Sequence, residues 1–175
     1  MSKFRTLFEE LKTQEDPVAA AFEPIIKSNS IMNTLFRWHH SSVEFNGRYA
    51  AIKNLYEDYE DEFKILFPEY ARRQKANVFY RGINIQDEAR DASVIREKFL
   101  TKAPSSWTLN FEEAKKFGDV LLKAYVKDLK TARVIPLDFI LEEYSKIEND
   151  DNYESEKEII VMGSDKIKEK IEVIL

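Results

Sequence analysis

Two glutamates, Glu156 and Glu158, lie two positions apart and are the strongest candidates for catalytic chemistry in this sequence. Alternate residues of an extended chain share a face, so this spacing predicts that both carboxylates point the same way as the chain enters a strand. Close carboxylates repel each other, and partial removal from water then raises the pKa of at least one. Such a pair can stabilise a developing cation and activate a nucleophile. Acidic alternation is also typical of a solvated strand edge, so the pair alone assigns no function.

A second candidate is Arg81, which follows a short β-branched and aromatic run and precedes Gly82. The planar guanidinium offers several donors that suit a phosphate or a carboxylate, and a glycine lets a ligand approach the backbone closely. An arginine before a turn glycine is more often an ordinary surface residue. This pair therefore indicates an anion site only together with other residues.

The third candidate is a short segment that contains Ser106 and Thr108. On a strand their two hydroxyls share a face, where they can bond ligand oxygens or orient a neighbouring carboxylate. Asn110 is expected to cap the helix that follows, and Ala114 and Phe117 to pack that helix onto the sheet. An ordinary strand, cap and helix would carry the same residues, so this segment also needs support from elsewhere.

Two kinds of element must position these candidates. Residues 1–75 carry apolar side chains at helical spacing, and Pro68 is expected to end the last of these helices. Residues 76–175 contain short β-branched and aromatic runs, which predict strands. Helices are predicted over Lys3–Lys12, from Asp16 onward, over Ile31–Trp38, over Tyr49–Phe63 and over Asn110–Phe117. Strands are predicted over Val78–Tyr80, Ser105–Thr108, Val120–Val126, Ala132–Phe139, Glu158–Met162 and Ile171–Leu175. Helices first and strands second, without β–α–β alternation, predict a single α+β domain over residues 1–175.

Composition narrows the functional classes. The chain has 175 residues, 43% of them apolar, which is ample for one packed core. It has no cysteine and only two histidines, so neither a disulfide framework nor a thiolate or histidine zinc site is expected. Those histidines, His39 and His40, lie on a predicted helix, and a structural role is the favoured interpretation for them. No apolar stretch could cross a bilayer and no signal segment is visible, so we expect a cytoplasmic, metal-free protein with no membrane partner.

Taken together and in order, the three segments resemble the arginine–serine–glutamate class of mono-ADP-ribosyltransferases. This class includes the clostridial C2- and C3-like toxins and the phage T4-type enzymes. The class pattern Ser-Thr-Ser-Leu-Ser, followed by alanine and phenylalanine, matches this chain in register at Ser106, Leu109, Ala114 and Phe117. Trp107 stands where the class usually has threonine. An aromatic residue five positions before the catalytic glutamate is also usual, and Tyr153 occupies that position.

The resemblance implies a fold, an activity and a role for each matching residue. The implied fold packs N-terminal helices, here residues 1–75, on two antiparallel β-sheets that form an NAD cleft. The implied reaction cleaves the co-substrate NAD and transfers ADP-ribose to a macromolecule. The implied NAD-binding residues are Arg81, Gly82, Ser106, Trp107, Thr108 and Glu158.

Within this set the resemblance also assigns catalytic roles. Arg81 would grip the diphosphate or the nicotinamide ribose, and Ser106 would support that ribose and orient Glu158. Glu158 would stabilise the cationic transition state. Glu156 would polarise the incoming nucleophile, and Tyr153 would help to hold the target.

The acceptor and the biological role stay open at this level. A glutamate at position 156 is usual in enzymes of the class that modify arginine, so a protein arginine is the leading acceptor. RNA or DNA is the alternative, and the basic patch at residues 72–75 is the best candidate for contacting RNA. A third interpretation is an inactive binding module on the same fold. A phage host-takeover enzyme and a toxin of a bacterial defence system both suit a protein of the bacterial host cytoplasm, with an antitoxin or chaperone as a further partner.

Overall fold

A computed structural model describes residues 16–40, 47–85, 91–99 and 103–174. Within these ranges four helices come first, as the apolar spacings predict. The strands that follow alternate with further helices, so the expectation of strands without such alternation is wrong. The helix predicted over Lys3–Lys12 lies outside the described residues. Among the residues described, no helix combines the length and the apolar character that a membrane span requires.

The helical layer begins where a capping side chain satisfies the first free backbone N–H groups. Asp16 accepts a hydrogen bond of 3.0 Å from the N–H of Ala19, and Pro17 occupies the first helical position, as predicted. Ser28 caps the next helix by accepting from Ile31 at 3.3 Å. The helices of this layer are α1 (Pro17–Ile26), α2 (Asn29–His39), α3 (Arg48–Asp58) and α4 (Glu60–Arg73).

The expectation that Pro68 ends a helix is wrong. The chain breaks instead at Tyr59, and Pro68 lies inside α4. Proline removes one backbone hydrogen bond, but Phe67 and Tyr70 on either side of it are buried. Burial of large aromatic side chains stabilises a helix by more than one lost hydrogen bond costs.

The second half of the chain forms a six-stranded sheet in which every neighbouring pair is antiparallel. Its strands are β1 (Val78–Ile83), β2 (Pro104–Thr108), β3 (Val120–Tyr125), β4 (Arg133–Ile135), β5 (Glu158–Met162) and β6 (Glu172–Ile174). The helices between them are α5 (Ala92–Phe99), α6 (Phe111–Lys116), α7 (Val126–Leu129), α8 (Leu137–Ile147) and α9 (Asp165–Lys168). The spatial order is β4–β5–β2–β1–β3–β6, and this single antiparallel sheet with its helices is compatible with the predicted α+β class.

The resemblance implies two sheets, but the described strands form one sheet, which can be divided into two halves. The halves β4–β5–β2 and β1–β3–β6 meet where β1 and β2 pair in register at Tyr80 and Thr108. Helix α6 packs closely against β1 next to that point. The contact is so close that a Cβ added to Gly82 would lie 1.9 Å from the carbonyl oxygen of Ala114. Asn110 caps α6, as predicted, by accepting from the N–H groups of Glu112 and Glu113.

The strand predicted over Ala132–Phe139 is only partly correct. β4 ends at Ile135, and α8 begins at Leu137. The apolar run continues through the boundary, so composition alone cannot distinguish a buried strand from a buried helix. Phe139 of α8 packs edge-on against Phe22 at 4.7 Å and stacks on Tyr70 at 5.4 Å, so this helix joins the helical layer to the core.

Candidate functional site

A cavity of about 470 Å³ lies where the helical layer meets both halves of the sheet. It is large enough for a small-molecule ligand. Helix α2 and the first residue of α3 line it from the helical layer, and β1, β2, α6 and the start of β5 line it from the sheet. The predicted site residues that it gathers are Arg81, Gly82, Ser106, Trp107, Thr108, Glu156 and Glu158. Three segments that are far apart in the sequence therefore meet in one space.

Glu158, the first residue of β5, is held at both its backbone and its side chain. Its N–H donates a 2.7 Å hydrogen bond to Oδ2 of Asp138. Its Oε2 lies 3.3 Å from Nδ1 of His39. Both side chains of the His39–Glu158 pair are at most 9% exposed, so water does not compete for the contact. A carboxylate fixed in this way presents a defined negative charge to the cavity.

The pKa of His39 is raised above its ordinary value of 6.5. The hydrogen bond to Glu158 is the main cause, and burial acts in the opposite direction. The negative charges of Glu158, Asp138 and Glu156 add to the increase. The acidic neighbours therefore favour the imidazolium form of His39 more than water does for a free histidine.

Asp138 organises the segment that carries both glutamates. Its side chain is fully buried, and besides the N–H of Glu158 it accepts from the hydroxyl of Ser155 at 3.1 Å and from the hydroxyl of Tyr153. Burial raises the pKa of Asp138, while its hydrogen bonds from Tyr153 and Glu158 lower it. The hydrogen bonds compensate a polar group that burial would otherwise disfavour.

Tyr153, expected to hold the target, does not line the cavity in this structure. Its hydroxyl donates to Asp138, and its ring centroid lies 5.6 Å from that of His39. Burial and the nearby charge of Asp138 raise its pKa. The structure therefore ties this side chain to the support of Glu158, and its role toward a target stays a prediction.

Glu156 is exposed and lines the cavity just before β5. Its backbone carbonyl accepts a 2.7 Å hydrogen bond from the hydroxyl of Thr108, which anchors it to the end of β2. Partial loss of solvent raises the pKa of Glu156, and Glu158 and Asp138 reinforce the effect while His39 opposes it.

The two glutamates face one cavity for a reason that the sequence argument missed. Lys157, between them, has a φ of 54°, in the left-handed region that non-glycine residues rarely adopt. The chain is therefore not extended at this point, and simple alternation does not apply. Hydrogen bonds to Thr108 and Asp138 hold the backbone on either side of Lys157, and both Glu156 and Glu158 line the cavity.

Two arginines supply positive charge to the cavity. Burial lowers the pKa of Arg81, and the positive charge of Arg48 lowers it further. Among the described residues, no hydrogen bond or ion pair joins Arg81 to a carboxylate. Arg48 lies 4.9 Å from the ring centre of Trp38 and 4.7 Å from that of Tyr49, and its Nε is buried without a hydrogen-bond partner. Arg81 is desolvated and Arg48 is half-buried, and guanidinium groups placed in this way are well suited to bind an anion.

Ser106 was expected to orient Glu158, but its hydroxyl is hydrogen-bonded to the helical layer. Its hydroxyl oxygen accepts a 2.9 Å hydrogen bond from Nε1 of Trp38. Trp107, next to it, is only 2% exposed and donates to Ser105 at 3.0 Å, so it belongs to the core and has little surface for a ligand. The expected orientation of Glu158 by a neighbouring side chain is present, but in this structure His39 provides it.

Gly82 lines the cavity, but its missing side chain is explained by protein packing. The space that a Cβ would need is filled by the backbone of Ala114 in α6. The close approach that we expected for a ligand is therefore made by a helix. Gly118, after the same helix, comes equally close to Ile83, where an added Cβ would lie 2.1 Å from the backbone.

Sequence reasoning missed four residues that the structure places at the site or directly beneath it: Trp38, His39, Arg48 and Asp138. Each comes from the helical layer or from α8, whose first three residues fell within a predicted strand. The adjacent Trp38 and His39 carried one usable signal, because a polar residue beside a buried aromatic at the end of an apolar helix lies at the edge of a core. Asp138 carried a second, as an acid inside an apolar run.

Ligand atoms of His39, Glu156 and Glu158 lie within 4.8 Å of one another. The hydrogen bond between His39 and Glu158 accounts for most of this closeness, so the cluster is no evidence for a metal. Comparison of the chain with protein-family models, with curated proteins and with solved structures found no match. The geometry of the cavity must therefore carry the functional argument.

Proposed function

We propose that this protein is an NAD-dependent mono-ADP-ribosyltransferase that transfers ADP-ribose to a macromolecule, with a protein arginine as the acceptor. The observation that carries the proposal is the convergence of Arg81, Ser106, Glu156 and Glu158 on one cavity. These are the residues that the resemblance singles out, and they come from three separate segments of the chain. Their meeting was not imposed by their positions in the sequence.

The charges of the cavity suit the two parts of NAD that a transferase must recognise. Arg48 and Arg81 offer donors to the diphosphate, with Arg81 presenting a planar fork that can bind two phosphate oxygens. Glu158 offers a buried carboxylate to the nicotinamide ribose. A cavity that combines cations and carboxylates distinguishes NAD from a simple anion or a simple cation.

The reaction follows from the position of Glu158. The bond between the ribose C1′ and the nicotinamide nitrogen breaks, its electron pair leaves with nicotinamide, and positive charge develops on the ribose. A preorganised carboxylate stabilises that charge, at a magnitude of about 3–4 kcal/mol for one such group. A guanidinium nitrogen of the acceptor then forms the new bond to C1′ and loses a proton. Glu156 is exposed beside Glu158 and has a raised pKa, which suits it to position the acceptor and to receive that proton.

The two glutamates allow a sharp test. Glu158→Gln keeps the shape but loses the charge that faces the cationic transition state, so it should abolish both transfer and NAD hydrolysis. Glu156→Gln should lose transfer but keep much of the hydrolysis, because water needs less positioning than an arginine side chain. Glu154→Gln is the matched control, since Glu154 is an exposed acid of the same loop that does not line the cavity.

The assay is incubation with NAD labelled in the ADP-ribose part and a bacterial lysate, followed by protease or RNase. Label released by protease supports a protein acceptor. Label released by RNase would show instead that the acceptor is RNA. Equal behaviour of Glu158→Gln and Glu156→Gln would contradict the division of roles. Failure of the wild-type protein to hydrolyse or transfer at any pH would refute the proposed function.

A further inference from the structure

Glu158 is hydrogen-bonded to two other elements of the fold, and the sequence analysis connected neither of them with it. Asp138 of α8 holds its backbone N–H at 2.7 Å, and His39 of α2 lies 3.3 Å from its carboxylate. The His39 side chain is 7% exposed, and its Nδ1 faces Glu158. The imidazole of His39 thus connects α2 of the helical layer to Glu158 at the start of β5.

We propose that His39 is a positioning residue for Glu158, fixing its carboxylate through Nδ1 and setting the charge of the site by gaining or losing one proton. This inference deepens the proposed function and rests on it, because it gives that activity a pH control. With the proton on Nδ1 and none on Nε2, His39 donates to Glu158 and leaves the full negative charge of the carboxylate. With both nitrogens protonated, the imidazolium offsets that charge.

The surroundings of His39 determine the direction of the effect. The acids that face it are Glu158 on β5, Glu156 in the preceding loop and Asp138 on α8. The ring of His40, the residue that follows the helix, lies 5.1 Å away. Tyr153 faces it from the same loop as Glu156. The acids favour the imidazolium, so its pKa lies above 6.5. As the pH falls through that raised pKa, the imidazolium forms, the cationic transition state loses stabilisation and NAD cleavage slows.

Two substitutions distinguish the hydrogen bond that His39 donates to Glu158 from the ability of His39 to gain a second proton. In His39→Asn the side-chain amide nitrogen can take the place of Nδ1, so the carboxylate keeps its donor but the site cannot titrate. In His39→Gln the amide nitrogen reaches the position of Nε2 and the donor to Glu158 is lost. His40→Asn is the control, because His40 lies at the end of the same helix and outside the cavity lining.

The first measurement is the pH profile of kcat and kcat/KM for NAD hydrolysis. The wild-type kcat/KM should fall on the acid side with a midpoint above 6.5, and His40→Asn should do the same. His39→Asn should keep a rate near the wild type at pH 8 and lose this acid limb. His39→Gln should lower kcat by roughly ten- to a hundredfold, the loss expected for one hydrogen bond to a charged group. Equal rates and equal acid limbs for the two His39 variants would overturn the proposal.

The second measurement needs no activity. The chain has two histidines, so NMR titration of the imidazole signals, assigned with His40→Asn, reports His39 directly. The midpoint of His39 should lie above 6.5 and fall in Glu158→Gln. An unchanged midpoint would refute the pairing even if NAD is cleaved. The expected fall in a protein that cleaves no NAD would keep the pairing and refute the proposed function.

Discussion

Replacement of Gly82 by alanine tests how the cavity is built. A Cβ at this position would lie 1.9 Å from the carbonyl oxygen and 3.0 Å from the carbonyl carbon of Ala114. Ordinary contacts begin near 3.4 Å, so α6 and β1 must separate by about 1.5 Å. The obstructing atoms are backbone atoms, and no side-chain rotation can relieve the contact. We therefore expect Gly82→Ala to loosen the junction between the two halves of the sheet.

The expected cost can be estimated from two opposing effects. Overpacking of a closely packed contact costs about 1–3 kcal/mol, and a contact this short belongs at the upper end. Alanine reduces the entropy of the unfolded chain, which returns about 0.4–1 kcal/mol. A net loss of about 2 kcal/mol in the free energy of unfolding corresponds to a fall of roughly 4–8 °C in Tm for a chain of this size.

Thermal melts followed by circular dichroism, together with calorimetric titration of ADP-ribose, check this expectation. Gly118→Ala should give a similar fall, because its Cβ would lie 2.1 Å from the backbone of Ile83 in the same contact. Gly47→Asn is the control for a substitution without crowding, since no atom lies within 4 Å of that position. Asparagine adopts its φ of 74° at less cost than other side chains, so only a small fall in Tm is expected. A normal Tm for Gly82→Ala combined with lost ADP-ribose affinity would refute the packing argument. In that case the glycine would serve the ligand alone.

Three further changes probe the supports of the site. Arg81→Lys should weaken ADP-ribose binding by roughly ten- to a hundredfold with little change in Tm, because an ammonium cannot reproduce the planar fork; near-normal affinity by calorimetry would contradict this. Asp138→Asn should fold, because its amide oxygen can still accept from the N–H of Glu158. Asp138→Leu leaves that buried N–H without an acceptor and should lower the free energy of unfolding by about 1–3 kcal/mol. Equal denaturant midpoints for the two variants would contradict this. The pKa of Asp138 is raised above 3.8, so its contribution to the free energy of unfolding declines as the pH rises through the raised value. The amide of Asp138→Asn does not titrate. Over that pH window the variant should therefore become more stable relative to the wild type. Trp38→Phe removes the donor to Ser106 and should cost about 0.5–1.5 kcal/mol, measured by urea unfolding.

Local patterns in the sequence predicted much of the fold. Asp16 and Asn110 were recognised as helix caps because capping depends on one side chain and the next few backbone N–H groups. The strands that begin near Val78, Val120 and Glu158 were recognised because each is a short β-branched or aromatic run with a clear boundary. Local patterns failed at Pro68, where the burial of its neighbours overrode the usual behaviour of proline.

The order and type of the candidate site residues were likewise available from the sequence. Arg81, Ser106, Glu156 and Glu158 were selected from three short segments, and all four line the same cavity. Their residue types indicate which charges and donors the site has, because that information belongs to each side chain alone.

Only the tertiary structure decided what holds these residues in place. The contact between His39 and Glu158 joins residues 119 positions apart, and the hydrogen bond from Glu158 to Asp138 requires a helix where a strand was predicted. No local pattern encodes such pairs, because their separation is set by the packing of whole helices against the sheet. The sequence by itself determined which groups could do the chemistry. The packing of α2, α6 and α8 against the strands decided which of them meet, which are desolvated and which are joined by a hydrogen bond.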